Sequence, residues 1–441
     1  IDRLAETGML FKNSYIMGGH HGAISAPSRA MLLSGKYLFN VYDKLDGVIT
    51  MPMYFATQGY RTFGTGKWHN EKSAFEDSFQ CGKNVFLGGM ADHYNIPLCD
   101  MDEDGKLSQP AMKGFSTDLF TAAAIEFINE YSEGSKESPF FCYVAFTVPH
   151  DPYSPRPDYI DRYFPDSVKL PGNFMPLHPF AFDDLMVRDE NLLPWPRPAE
   201  YVKMVLADYY GLIEHLDKNI GDIIGILKKK RLYKNTIIVF ASDNGLAIGS
   251  HGLLGKQSLY EHSMKVPLII SGPGIPEGKE SEAFAYLFDM FPTLAGLCSL
   301  PVPEGVDGQS LEPVISGRVK DIRSSVFTAY RNTVRAIRTT EWKLIRYPER
   351  DFTQLFNLVN DPLEMKNLSG DTTLEPVKKE LFDLLIEWQK KAGDTINLTS
   401  PEILPLEYDY RNLVRKPDRW QPEYTIKKYF NIDLNKENVK N

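Results

Sequence analysis

The chain is predicted to be an α/β protein with a large, mostly parallel central sheet flanked by helices. A smaller C-terminal antiparallel sheet packed with a helix follows it. Three observations predict this. Residues 140–146, 236–241 and 267–270 are short apolar runs without polar alternation, the pattern of strands buried on both faces. Helical periodicity runs between them, over 117–131, 201–230 and 283–297. Buried strands separated by helices imply parallel pairing with right-handed crossovers. After about residue 317 the texture changes to short, partly alternating runs at 326–330, 334–338 and 342–346, then a helix over 374–391. The expected division is therefore 1–316, an α/β domain, and 317–441, an α+β unit whose Pro- and Tyr-rich end wraps the surface.

Composition narrows the function classes. Of 441 residues, 43% are hydrophobic and 24% charged, an ordinary globular balance. A net charge of -9 offers no basic footprint for nucleic acid. No stretch approaches the roughly 18 apolar residues that span a bilayer. The four cysteines, Cys81, Cys99, Cys142 and Cys298, form no CxxC pair, which argues against zinc. Cys142 lies in an apolar run and reads as a packing residue. The opening residues Ile1 to Glu6 look like the middle of an amphipathic helix with no capping residue ahead of it, so the true N-terminus is expected to be missing.

Four local patterns carry chemistry. Ser25-Ala26-Pro27-Ser28-Arg29 puts Arg29 one helical turn after Ser25, on the same side; structurally it is equally a Pro-containing turn capped by Ser28. Lys67 and His69 alternate across Trp68, so extended backbone would aim both at one face, offering a fixed cation and a titratable ring to an oxyanion. His150 sits between Pro149 and Pro152 beyond a buried strand, where α/β sheets collect their ligands. Asp243 and Asn244 offer hard oxygens at another strand end, suited to calcium or magnesium; the plain alternative is an Asp-Asn-Gly turn.

Together, and in order, these patterns resemble the sulfatase family of the alkaline-phosphatase-like superfamily, in its serine-type bacterial carbohydrate sulfatase branch. Ser25 to Gly35 resembles the signature whose first residue is oxidised to formylglycine; Gly64 to His69 and Pro149-His150 resemble later motifs. Weaker similarities lie at 289–294, 305–311 and 355–368. The resemblance implies an alkaline-phosphatase-like sandwich and hydrolysis of sulfate esters. Ser25, Arg29, His69 and His150 would be catalytic, and Lys67, Lys256 and His150 would bind sulfate. Asp243, Asn244 and residue 25 would hold Ca2+, with Mg2+ the alternative. His251, near Lys256, would at most order its loop. A formylglycine-generating maturation enzyme would be a partner, and the protein would be periplasmic or otherwise exported. One departure stands out: the Asp-Asp pair that the family's first strand gives the metal has no counterpart before Ile1.

The substrate expected is a sulfated saccharide, read by the loops at 88–94 and 151–198, which are long enough to carry specificity. His93, His21, Arg156 and His178 are the candidate sugar contacts. The alternatives are a phosphomonoesterase or phosphodiesterase of the same superfamily and a non-catalytic binder of sulfated glycans.

Overall fold

The computed structural model describes residues 1–134, 138–411, 418 and 420–430. In chain order the elements that build the site are β1 (Gly8–Tyr15), α1 (Ser25–Ser34), β2 (Arg61–Lys67), β3 (Cys81–Phe86), α2 (Ser116–Glu133) and β4 (Phe140–Ala145). Next come α3 (Ala199–Lys229), β5 (Ile238–Ala241), β6 (Leu268–Ser271), β7 (Lys279–Tyr286) and α4 (Met290–Leu297). The C-terminal part adds β8 (Ser325–Tyr330), β9 (Val334–Thr339), β10 (Trp342–Tyr347), β11 (Phe352–Asn357), α5 (Glu375–Ala392) and α6 (Glu423–Phe430).

The central sheet lies in two parts. One is β3–β2–β4, all parallel. The other is β7–β1–β6–β5, in which β1 is parallel to β7 while β6 runs antiparallel to both its neighbours. Expected burial on both faces holds for β6 but not for β4 and β5, whose apolar side chains are almost all half-exposed. The reason is pairing: among the described residues β4 bonds only to β2 and β5 only to β6, so each presents an open edge.

The expected helix at 283–297 is corrected. Lys279–Tyr286 is a strand, parallel to β1, and the helix begins only at Met290. Glu280 and Glu282 are exposed while Ser281 and Ala283 are buried, a period of two that the small residues had masked. Asp289 marks the break: its carboxylate accepts the backbone N–H groups of Tyr286 at 2.7 Å and Gln309 at 2.8 Å.

β8 to β11 form an antiparallel meander, with Gly18–Gly19 added in parallel at the β8 edge. The buried residues Leu381, Leu385 and Trp388 of α5 join its core, and Trp388 donates to Ser325 Oγ at 2.8 Å. On the other side, α2 and α3 pack through Ala123, Phe127 and Leu227 against Phe63 of β2.

α1 is central: nine of its ten residues are buried. Pro27 fits because its missing N–H falls within the first turn, where no intrahelical acceptor exists. Gly35 ends the helix in the left-handed region at φ 68, its N–H returning to Met31 O at 2.9 Å. No helix among the described residues is long and apolar enough to cross a membrane.

Candidate active site

Ser25 begins α1 and is 1% exposed. Its Oγ accepts from Asn244 Nδ2 at 3.1 Å, and the same amide donates to Asp243 Oδ1 at 2.7 Å. The other carboxylate oxygen of Asp243 takes the Nε–H of Arg29 at 2.8 Å. Arg29 also donates to the Lys67 carbonyl at 2.6 Å and to the Tyr143 hydroxyl at 3.1 Å. One buried guanidinium thus ties α1 to the ends of β2 and β5. Burial alone would raise the Asp243 pKa, but Arg29, Lys67, Lys256 and His150 outweigh it and hold the carboxyl well below its usual range. The same four cations and potential cations therefore converge on one carboxylate.

Lys67 closes β2 and is 2% exposed. Burial lowers its pKa to about 7; Asp243 opposes this, while Arg29 and Lys256 add to it. His69 differs from expectation in its backbone. Its φ is +62, so the chain leaves the extended conformation and turns through the left-handed region. The ring still lies in the field of Lys67 and Arg29, and burial plus these cations lower its pKa to about 2. Trp68 points away, its indole donating to Glu71 O at 2.8 Å and packing on Phe75.

His150 follows β4. Its Nδ1 lies 2.9 Å from the Asp151 carbonyl and 3.1 Å from the Asp151 carboxylate, while Nε2 lies 3.1 Å from Lys256 Nζ. Two acceptors at Nδ1 and an ammonium at Nε2 assign the Nδ1–H tautomer. Burial lowers the His150 pKa, and Lys256 lowers it further against Asp151. Lys256, 3% exposed, thus meets His150 at one place.

The candidate sugar contacts divide. His21 is exposed and bonds Asp43. Arg156 is half-exposed and bonds Asp118. His93 and His178 are buried, as is His251, the residue expected only to order its loop: His93 Nε2 lies 2.9 Å from His150 O, His178 Nδ1 lies 2.8 Å from Phe180 O, and His251 Nε2 lies 3.0 Å from Glu364 O. Burial lowers their pKa values to about 4, 3 and 4, so they are neutral structural pins, and His93 supports the backbone of His150 itself. Asn70 was not foreseen: it donates to the Ala26 and Asp43 carbonyls at 3.1 and 2.7 Å, fastening the first turn of α1. Nor were Tyr143, Arg188, Asp189 or the partnership of Asp151; each acts through distant contacts that no local spacing announces.

The hard-cation site expected at Asp243, Asn244 and residue 25 is only partly furnished. Both Asp243 oxygens are already hydrogen-bonded, and three buried cations surround them. Among the described residues no group of three His, Cys, Asp or Glu is placed to hold a metal. These donors by themselves do not fit a cation that takes about 6–8 oxygens.

The family model for sulfatases matches residues 1–300, and that for the N-sulphoglucosamine sulphohydrolase C-terminal region matches 249–391. The chain is 29% identical over 473 residues to the N-acetylglucosamine-6-O-sulfatase of Bacteroides thetaiotaomicron, covering 89% of this chain and 82% of that one. It shares its fold with a protein solved in complex with its substrate D-glucosamine-2-N,6-O-disulfate. The TM-score is 0.73 at 24% identity, over 89% of this chain and 92% of that one. A phosphonate monoester hydrolase of Agrobacterium radiobacter also shares the fold, with a TM-score of 0.67 at 21% identity, over 89% and 90% of the chains. Fold alone therefore leaves the ester open, but the sequence match spans about two-thirds of the chain and includes every motif from Ser25 to Lys256: the chain belongs to the sulfatase family, whose members are sulfuric ester hydrolases.

Proposed function

We propose that the site hydrolyses a sulfate ester on a saccharide, using a formylglycine made from Ser25. The observation that carries the reading is the convergence of Lys67, Lys256, Arg29 and His150 on Asp243, beside the buried end of α1 where Ser25 sits. Two lysines suit a compact tetrahedral sulfate group, singly charged as the ester and doubly charged once released, and burial makes each charge count for more than it would in water. Plain Ser25 is a weak nucleophile here, because the Asn244 amide that bonds its hydroxyl is a donor that cannot take a proton. Oxidised to an aldehyde hydrate, residue 25 would supply one hydroxyl to attack sulfur and a second to expel sulfate. His150 Nε2 carries no proton in the Nδ1–H form, so it would first take one from the Lys256 ammonium beside it and then pass it to the departing sugar oxygen, while Lys67 and Lys256 would hold the sulfate oxygens.

The same reading calls for a maturation enzyme as partner and for export, to the periplasm in a bacterium. The divalent cation the family implies, calcium or magnesium, needs oxygen donors beyond Asp243, Asn244 and residue 25. The saccharide is favoured by the sugar named for the relative from Bacteroides thetaiotaomicron. Sulfate release should be screened on sulfated mono- and disaccharides after co-expression with a maturation enzyme. Release from at least one sugar, with the peptide containing residue 25 lighter by two hydrogens, is the expected result. Aryl phosphate cleaved faster than aryl sulfate would transfer the assignment to phosphate esters; tight glycan binding without turnover would make the protein a lectin-like member.

A further inference from the structure

We propose that Arg188 is the positioning residue for both His150 and Lys256, that Asp418 near the C-terminus holds it there, and that Gln421 secures its partner Asp151. This rests on the reading that His150 and Lys256 meet the sulfate group.

Five side chains form a closed ring. Arg188 bonds the Asp151 carboxylate through Nη2 and, at 3.1 Å, through Nη1. Asp151 faces His150 Nδ1 at 3.1 Å, and His150 Nε2 faces Lys256 Nζ at 3.1 Å. Lys256 Nζ lies 3.8 Å from Asp189, and Asp189 returns to Arg188 Nη1 at 3.0 Å. The Asp189 arm has a second strut: Gln257 donates to Asp189 at 2.8 Å and accepts the Lys256 backbone N–H at 2.9 Å. The remaining donor, Nε, goes to Asp418 at 2.7 Å, and Gln421 donates a further bond to Asp151.

The chemistry requires a guanidinium. Two carboxylates 38 residues apart in sequence and a third from the tail are met by three donors in one plane, which a single ammonium cannot match. All three carboxylates are nearly buried. Without Arg188 they would repel one another. Asp151 would then no longer be fixed opposite Nδ1, and the His150 tautomer that leaves Nε2 facing Lys256 would lose its support. Asp189 would equally release Lys256. Asp418 and Gln421 thus reach the ring at two points, Asp418 through Arg188 and Gln421 directly at Asp151.

The test uses the full chain after maturation, with Arg188→Ala, Arg188→Lys and the pair Asp418→Asn with Gln421→Ala. Nitrogen-15 NMR of His150 reads the tautomer without any turnover. Wild type should show one Nδ1–H form, and Arg188→Ala a mixture. Turnover should then fall about 10²-fold in kcat for a sugar sulfate but less than about 3-fold for an aryl sulfate with a good leaving group, since only the former needs the positioned acid. Added guanidinium should restore part of the Arg188→Ala loss, and the tail pair should shift both readouts the same way by about 5-fold or less. If Arg188→Ala does not fold, Arg188→Lys carries the same comparison. An unchanged His150 tautomer, or equal losses on both esters, would overturn the proposal. A wild-type protein that releases no sulfate from any ester would instead overturn the sulfatase reading, leaving the tautomer measurement to judge Arg188.

Discussion

Arg29 and Asp243, 214 residues apart in the chain, form a partly buried ion pair at 2.8 Å that joins the active-site helix to a strand end. Removing Arg29 takes a hydrogen bond from a largely buried carboxylate that Lys67 and Lys256 still compensate in part, which costs about 1–3 kcal/mol. Arg29→Ala is therefore expected to lower unfolding free energy by that amount in urea titration. It should also raise the Asp243 pKa, since Arg29 is the largest influence holding it down. A loss below 1 kcal/mol would mean that the pair is not buried in solution.

His150→Ala should separate substrates by leaving group. A sugar alcohol leaves poorly without a proton, whereas an activated phenolate leaves unaided. Turnover of the sugar sulfate should fall by about 10²–10⁴-fold and that of the aryl sulfate by less than about 10-fold. Equal falls would take the proton-donor role away from His150.

Lys67 sets a pH dependence. Burial lowers its pKa to about 7, so in the free protein the ammonium is lost as pH rises through 7. Sulfate remains a dianion over this range and binds the charged form. Affinity for inorganic sulfate should be flat from about pH 6 to 7, then weaken by up to about 10-fold per pH unit, with proton uptake on binding. Calorimetry in buffers of different ionisation enthalpy measures that uptake. Lys67→Met should abolish both the uptake and the slope; persistence of either would place the titrating group elsewhere.

Gly66, just before Lys67, has φ +90, and a Cβ there would lie 2.0 Å from the Ala145 carbonyl oxygen. That atom is backbone of the paired strand β4 and cannot step aside. Gly66→Ala should destabilise the fold by about 1–3 kcal/mol or more and weaken sulfate binding by shifting Lys67. Thermal melting alongside sulfate titration tests both.

The sequence made the site legible where chemistry clusters locally. Ser25 with Arg29, and Asp243 with Asn244, are neighbours along the chain, and the ends of β2, β4 and β5 deliver Lys67, His150 and Asp243 to one place. Periodicity failed at Lys279–Tyr286, where small residues blurred a two-residue repeat into a helical one. It failed again at His69, because a left-handed turn leaves no mark on spacing. His93 and His178 were expected on loops in reach of a sugar, yet each is paired to a backbone carbonyl in the interior. Arg188 was illegible for another reason: beside Asp189 and Glu190 it looks like an ordinary solvated charge run, and its partner Asp151 lies 37 residues earlier.

The burial of Ser25 also imposes an order in time. The residue opens a helix that is almost wholly interior, with Asn70 fastening its first turn. A modifying enzyme must grip several residues of accessible backbone around its target, and the finished fold presents none there. The oxidation proposed for residue 25 would therefore belong to the interval between synthesis and folding, and the two processes would compete for the same nascent segment. Slower folding should raise the oxidised fraction of newly made protein. Folded, unmodified protein mixed with a maturation enzyme should keep the mass of plain serine until it is unfolded and allowed to fold again.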